Sequence, residues 1–145
     1  MTTPERIIAV LGGAKAIGLK KGQPLHSLQE PVRAGFPFAA LKAFQQRYQI
    51  TQVQIQALID ISERTLARRK LEQSLNKSES DRLYRVARIA ALAEEVLGSP
   101  AAATVWLKEQ IPTLGGVTPW SLLDTDEGAQ RVAALLGRID YGVYS

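Results

Sequence analysis

Apolar residues recur three and four positions apart along most of this chain, whereas alternation with a period of two never persists for more than a few residues. The first spacing places apolar side chains on one face of a helix, and the second is typical of a half-buried strand. The pattern therefore predicts an all-α fold. The 145 residues suffice for one sizeable core or for two small ones.

Capping residues indicate where the predicted helices begin. Thr3 followed by Pro4 predicts a first helix that ends at the two glycines at 12 and 13. Residues 17–37 contain six glycines and prolines, which favours a connection or arm over long regular elements. A helix is predicted over 38–48, and a long amphipathic helix is predicted to end at Gly98. Later helices are predicted to start at three further caps: Ser99, Thr118 and Thr125.

The most informative stretch runs from Thr51 to Lys70. Thr51 and Gln54 have the spacing of a capping box, which predicts the start of a short helix. Asp60 tolerates the left-handed conformation that a tight turn needs, and Ser62 is a good cap for a second helix. Two short helices joined by such a turn form the helix-turn-helix arrangement of many DNA-binding proteins.

The second of these helices has a basic outer face. Arg64 and Arg68 are four residues apart and are therefore neighbours on that face. An arginine fork can pair with the O6 and N7 atoms of guanine, while other cations hold phosphate. The predicted DNA-binding residues are Arg64, Thr65, Arg68, Arg69 and Lys70. On the residues alone, a structural hairpin with a solvated basic face remains an alternative.

Charge is divided unevenly along the chain. Residues 1–88 contain 15 Lys and Arg against 7 Asp and Glu, whereas residues 89–145 contain 3 against 7. The first part thus suits an anionic partner, of which nucleic acid is the commonest, and the second part suits a different task.

Several function classes are disfavoured. The chain has no cysteine and only one histidine, His26, which we interpret as a loop residue. This composition removes disulfides, thiolate metal sites and most catalytic arrangements. The glycines between 12 and 18 do not have phosphate-loop spacing, so we predict no enzyme, no cofactor and no metal. Without a secretory signal or an apolar run of about 20 residues, the cytoplasm is the expected location.

The segment at 61–70, Ile-Ser-Glu-Arg-Thr-Leu-Ala-Arg-Arg-Lys, resembles the recognition segment of the Xre, MbcA and ParS family of antitoxins. The resemblance extends over about residues 38–145. In the second half, several short motifs resemble the family's toxin-binding domain. These are Trp106-Leu107, Leu114-Gly115-Gly116, Thr118-Pro119, Gly128, Val132 and Leu136.

The resemblance implies an antitoxin that represses its own operon through the helix-turn-helix and neutralises a toxin, often of the NAD-degrading RES type, through its C-terminal part. It implies a helix-turn-helix bundle followed by a small helical toxin-binding domain, and a homodimer within a larger complex. The three regions it implies are 1–37 for dimerisation, 38–76 for DNA and 77–145 for the toxin. The residues we expect to contact the toxin are Arg138, Tyr141, Gly142, Val143, Tyr144 and Ser145. The alternative is a helix-turn-helix repressor without a toxin partner.

Overall fold

A computed structural model describes residues 3–20 and 27–142. His26 lies outside these ranges. The described residues form helices and no strand, which confirms the predicted all-α class. The α-helices in the described residues are α1 (Pro4–Val10), α2 (Gln29–Ala34), α3 (Phe38–Tyr48), α4 (Gln52–Ile59), α5 (Glu63–Glu72), α6 (Lys77–Leu97), α7 (Pro100–Leu107), α8 (Pro119–Leu122) and α9 (Asp126–Asp140).

The predicted helix starts are confirmed by their hydrogen bonds. Each capping side chain accepts a bond from the backbone amide three residues later, which satisfies a donor that the first helical turn leaves free. The caps with this bond are Thr3, Thr51, Ser62, Ser99, Thr118 and Thr125. Gly98 ends α6 in the left-handed conformation, as predicted.

Within the segment predicted as a connection or arm, the described residues 27–37 include a short helix, α2, that the glycines and prolines did not predict. Pro31 is compatible with this helix because it lies in the first turn, where no amide has an intrahelical partner. After α2, Phe36 is fully buried and its amide donates to Ser80 Oγ at 2.8 Å. At Gly35, φ is 90° and a Cβ would lie 2.3 Å from Leu75 O, so only glycine fits.

Helix α6 is the centre of the fold. It packs against α1, α2, α4, α7 and α9. Its buried side chains include Leu83 and Val86, and the small residues Ala87 and Ala90 let neighbouring helices approach closely. Burial of one large aliphatic side chain contributes about 1.5–3 kcal/mol, so this face supplies much of the stability. No helix in the described ranges has both the length and the apolar character needed to cross a bilayer.

Candidate nucleic-acid interface and C-terminal partner surface

The turn between α4 and α5 has the geometry that the sequence predicts. Thr51 and Gln54 form both bonds of the capping box, at 2.9 and 3.2 Å. Asp60 is left-handed at φ 55°, and its amide donates to Gln56 O. Ile61 then packs against the core, and Ser62 Oγ caps α5. This turn therefore fixes the direction of α5 relative to α4.

The outer face of α5 contains exposed arginines. Leu66 is buried and anchors the helix, whereas Arg64, Arg68 and Lys70 are all exposed. No hydrogen bond or ion pair joins these three side chains to another described residue. Their charges are therefore available to an external anion.

Thr65 lies at the edge of this face. It is half-buried, and its Oγ1 accepts a hydrogen bond from Ser62 Oγ at 3.0 Å. The hydroxyl is thus part of the cap of α5, and its own proton can still be donated outward.

Arg69 differs from its basic neighbours because its side chain is only 13% exposed. Its Nε donates to Glu79 Oε1 at 2.7 Å, and its Nη1 donates to Glu72 Oε1 at 3.0 Å. The hydrogen bond to Glu79 raises the pKa of Arg69. These bonds use Nε–H and one N–H of Nη1, so the N–H groups left for DNA are one on Nη1 and two on Nη2.

The partner of Arg69 was missed by sequence reasoning. Glu79 is almost fully buried and belongs to a capping box with Asn76 at the start of α6. Its Oε1 accepts from the Asn76 amide at 3.0 Å as well as from Arg69. The spacing of Asn76 and Glu79 before an amphipathic run is a signal that could have located this helix start.

The described part of the predicted toxin surface lies at the end of α9. Arg138 is exposed, and Tyr141 is 85% exposed. The Tyr141 amide donates to Gly137 O, and Gly142 continues with φ 75°. Both side chains are thus presented to solvent at a helix terminus. Three residues predicted to contact the toxin lie outside the described residues: Val143, Tyr144 and Ser145.

A polar cluster links α3 to α6. Arg47 donates from Nε and Nη2 to the two carboxylate oxygens of Glu94, both at 2.7 Å, and Tyr48 Oη also donates to Glu94. Burial alone would raise the pKa of Glu94, but these hydrogen bonds outweigh it and lower the pKa. Burial and the bond to Glu94 raise the pKa of Tyr48. Glu94 is therefore held as a carboxylate between two helices.

An aromatic cluster joins the same part of α3 to α8. Trp120 meets Phe44 at a centroid distance of 6.0 Å and Tyr48 at 5.7 Å, both edge to face. Sequence reasoning did not single out Trp120, because nothing local indicates its distant partners. Trp106 is partly buried against the hydrophobic core.

Comparison with known proteins identifies both halves of the chain. Residues 27–88 match the profile of the antitoxin Xre-like helix-turn-helix domain. Residues 92–142 match the profile of the antitoxin Xre/MbcA/ParS C-terminal toxin-binding domain. The boundary between the two matches falls within α6.

Individual relatives agree with the profiles. The chain is 30% identical over 120 residues to "Antitoxin Xre" of Yersinia enterocolitica, an alignment that covers 81% of each chain. It is 36% identical over 109 residues to "Antitoxin Xre" of Pseudomonas putida, which covers 74% of this chain and 67% of the relative. A shorter alignment, 30% identical over 82 residues, matches the "Prs ADP-ribosylating antitoxin" of a Sphingobium species over 50% of this chain and 52% of that protein.

Proposed function

Because the chain belongs to the Xre/MbcA/ParS family of antitoxins, we propose that it neutralises a cognate toxin by direct binding and represses its own operon by binding operator DNA. Its matched domains imply two partners, a toxin and DNA. The match over 92–142 disfavours a repressor without a toxin. The protein then acts by binding in the cytoplasm, and no residue is assigned a catalytic role.

The observation that carries the DNA-binding proposal is the unpaired basic face of α5. Arg64 and Arg68 are exposed opposite the buried Leu66, at the start and middle of the second helix of a helix-turn-helix. This is the helix that such proteins insert into the major groove. Arg64 and Arg68 are proposed to contact base edges, with Thr65 beside them, and Lys70 is proposed to contact phosphate. Arg69 is proposed to fix α5 against α6 and to reach DNA only with the remaining N–H groups of Nη1 and Nη2.

Binding to a duplex that covers the protein's own promoter tests this proposal. Replacement of Arg64 or Arg68 by Ala should weaken binding by about 1–3 kcal/mol for an arginine that reads a base. Lys70→Ala should weaken binding to all sequences alike and lower the slope of log affinity against log salt by about 1. Arg131→Ala, which removes an exposed arginine from α9, is the matched control. Unchanged promoter binding in both the Arg64 and Arg68 variants would refute this interface.

The toxin is proposed to be of the RES type, which degrades NAD, as the resemblance implies. The end of α9 and the segment that follows it are proposed to cover the cleft of the toxin and block its substrate. The exposed Arg138 and Tyr141 support this proposal, because tyrosine and arginine are enriched where protein interfaces hold most of their binding energy. Gly142 and residues 143–145 complete the proposed contact.

Co-expression with the product of the adjacent gene tests the toxin proposal. We expect the full chain to rescue growth and to co-purify with the toxin, and we expect a chain without residues 140–145 to lose rescue. Arg138→Ala and Tyr141→Ala separate the two described side chains, again with Arg131→Ala as the control. Full rescue by the truncated chain would show that the tail is dispensable.

We also propose that the protein is a homodimer in which residues 1–37 form the contact between protomers. Residues 38–76 are proposed to bind DNA, and residues 77–145 are proposed to bind the toxin. A two-fold dimer should bind an inverted repeat whose half-sites lie about one helical turn apart or a multiple of it. Footprinting on the promoter would show two protected half-sites at that spacing. A single protected site bound by one protomer would contradict the dimer.

A further inference from the structure

The last turn of α5 exposes a leucine that packing within the chain does not explain. Leu71 is 86% exposed, more than any other large apolar side chain in the described ranges. Each of the other leucines in α4 and α5, Leu58 and Leu66, is buried. Such exposure leaves unused the free energy that burial of a leucine contributes, so an external contact for Leu71 is worth seeking.

Leu71 lies on the same side of α5 as the two exposed arginines. With about 100° of rotation per residue, Arg64, Arg68 and Leu71 fall within a sector of about 60°, centred directly opposite the buried Leu66. We call these three residues the α5 ridge. Leu71 lies about 10 Å along the helix axis from Arg64, which corresponds to about three base-pair steps of DNA. One half-site is therefore long enough to meet the whole ridge.

Charge decides what kind of partner fits this ridge. A second copy of the chain packed symmetrically on Leu71 would bring Arg68, its neighbour on the ridge, close to Arg68 of its partner. That arrangement is unfavourable for exposed like charges. A DNA duplex meets the same cations with phosphates and guanine edges, and it also presents an apolar group in the major groove, the 5-methyl group of thymine.

We propose that Leu71 is a specificity-determining residue that contacts a thymine methyl group in the operator. This inference rests on the proposed binding of DNA by α5 and adds an apolar element to the readout by Arg64 and Arg68. A leucine cannot form a hydrogen bond with a base edge, so its contribution depends on the methyl group itself. It should favour thymine over uracil, which pairs identically and lacks that methyl.

The test uses the full chain and two forms of its own promoter duplex, one with thymine and one with uracil at every thymine position. We expect the wild-type protein to bind the thymine duplex about fourfold to fifteenfold more tightly, the effect of burying one or two methyl-sized groups. Leu71→Ala should bind the thymine duplex more weakly, and its thymine-to-uracil ratio should be about fourfold or more below the wild-type ratio. Any effect of uracil on DNA shape is common to both proteins, so the comparison of ratios isolates Leu71.

Val53→Ala is the matched control, because Val53 is also strongly exposed but lies on α4 and is not part of the α5 ridge. This variant should keep the wild-type ratio. The inference is overturned if Leu71→Ala keeps the wild-type ratio, or if the wild-type ratio is itself one. It is also overturned if Leu71→Ala weakens binding to both duplexes equally and sedimentation shows a shift to a smaller species, since Leu71 would then join two copies. Failure of the wild-type protein to bind either duplex would refute the DNA-binding function itself.

Discussion

Two glycines in α9 should respond in opposite directions to the same substitution. A Cβ on Gly128 would lie 1.9 Å from Leu122 O and 3.0 Å from Thr125 Oγ1. Ordinary contacts of a Cβ lie at 3.4–4 Å, so the backbone of the α8–α9 connection would have to move by more than 1 Å. A Cβ on Gly137 has no atom within 4 Å.

The size of each effect follows from this geometry. Overpacking costs about 1–3 kcal/mol, and a clash with a backbone carbonyl belongs at the upper end of that range. This cost outweighs the gain of up to about 1 kcal/mol that replacing glycine by alanine gives in helix propensity. At about 2–4 °C per kcal/mol for a chain of this size, Gly128→Ala should lower the Tm by about 4–10 °C. Gly137→Ala gains the propensity without the clash, so it should raise the Tm by about 1–4 °C.

Thermal and urea unfolding followed by circular dichroism at 222 nm would measure both variants. The reasoning is refuted if Gly128→Ala is as stable as the wild type, or if the two variants shift the Tm in the same direction. A lower Tm in both variants would show that α9 tolerates a side chain at neither glycine. In the structure, an added Cβ meets a neighbouring atom at Gly128 and meets none at Gly137.

Glu94→Gln should reduce the free energy of unfolding at pH 7 by about 1–3 kcal/mol, because it removes charged hydrogen bonds from Arg47. The folded pKa of Glu94 is below 4.5, so this stabilisation is present above about pH 4.5 and is lost as the pH falls through the folded pKa. Urea unfolding of both proteins at pH 7 and about pH 3 should show the difference shrink, and an unchanged difference at low pH would contradict the carboxylate's role. Arg69→Met should reduce the free energy of unfolding by about 3–5 kcal/mol, because it leaves the buried Glu79 charge unpaired. A double variant that also has Glu79→Gln should recover much of this stability. Promoter binding by the double variant should have the same slope of log affinity against log salt as the wild type, whereas Lys70→Ala should lower that slope. A lower slope in the double variant would show that Arg69 does contact phosphate.

Helix starts could be read from the sequence because a cap and its amide are three residues apart. Thr51 and Ser62 therefore defined α4 and α5 in advance, including the left-handed Asp60 between them. Helix α2 was not predicted, because its stability depends on packing against α6, a contact that no local pattern contains.

The basic face of α5 could be predicted only in part for the same reason. Helical spacing shows that Arg64 and Arg68 share a face, and the structure leaves both exposed. The sequence could not show that Arg69 bonds to Glu79, since that contact requires the chain to turn between α5 and α6. The contacts of Trp120 were even harder to predict from the sequence, because its aromatic partners lie in α3, more than 70 positions earlier.

The regions proposed for DNA and for the toxin share one hydrophobic core. Trp120 of the toxin-binding domain packs edge to face on α3, which leads directly into the helix-turn-helix. Lys108 Nζ donates to Gln49 O at 3.2 Å, and α6 contacts both α4 and α9. Unfolding of either region would therefore expose apolar surface of the other, which favours a single cooperative transition. On this reasoning Gly128→Ala also lowers the folded fraction of the helices proposed to bind DNA, although α5 ends more than 50 residues before Gly128.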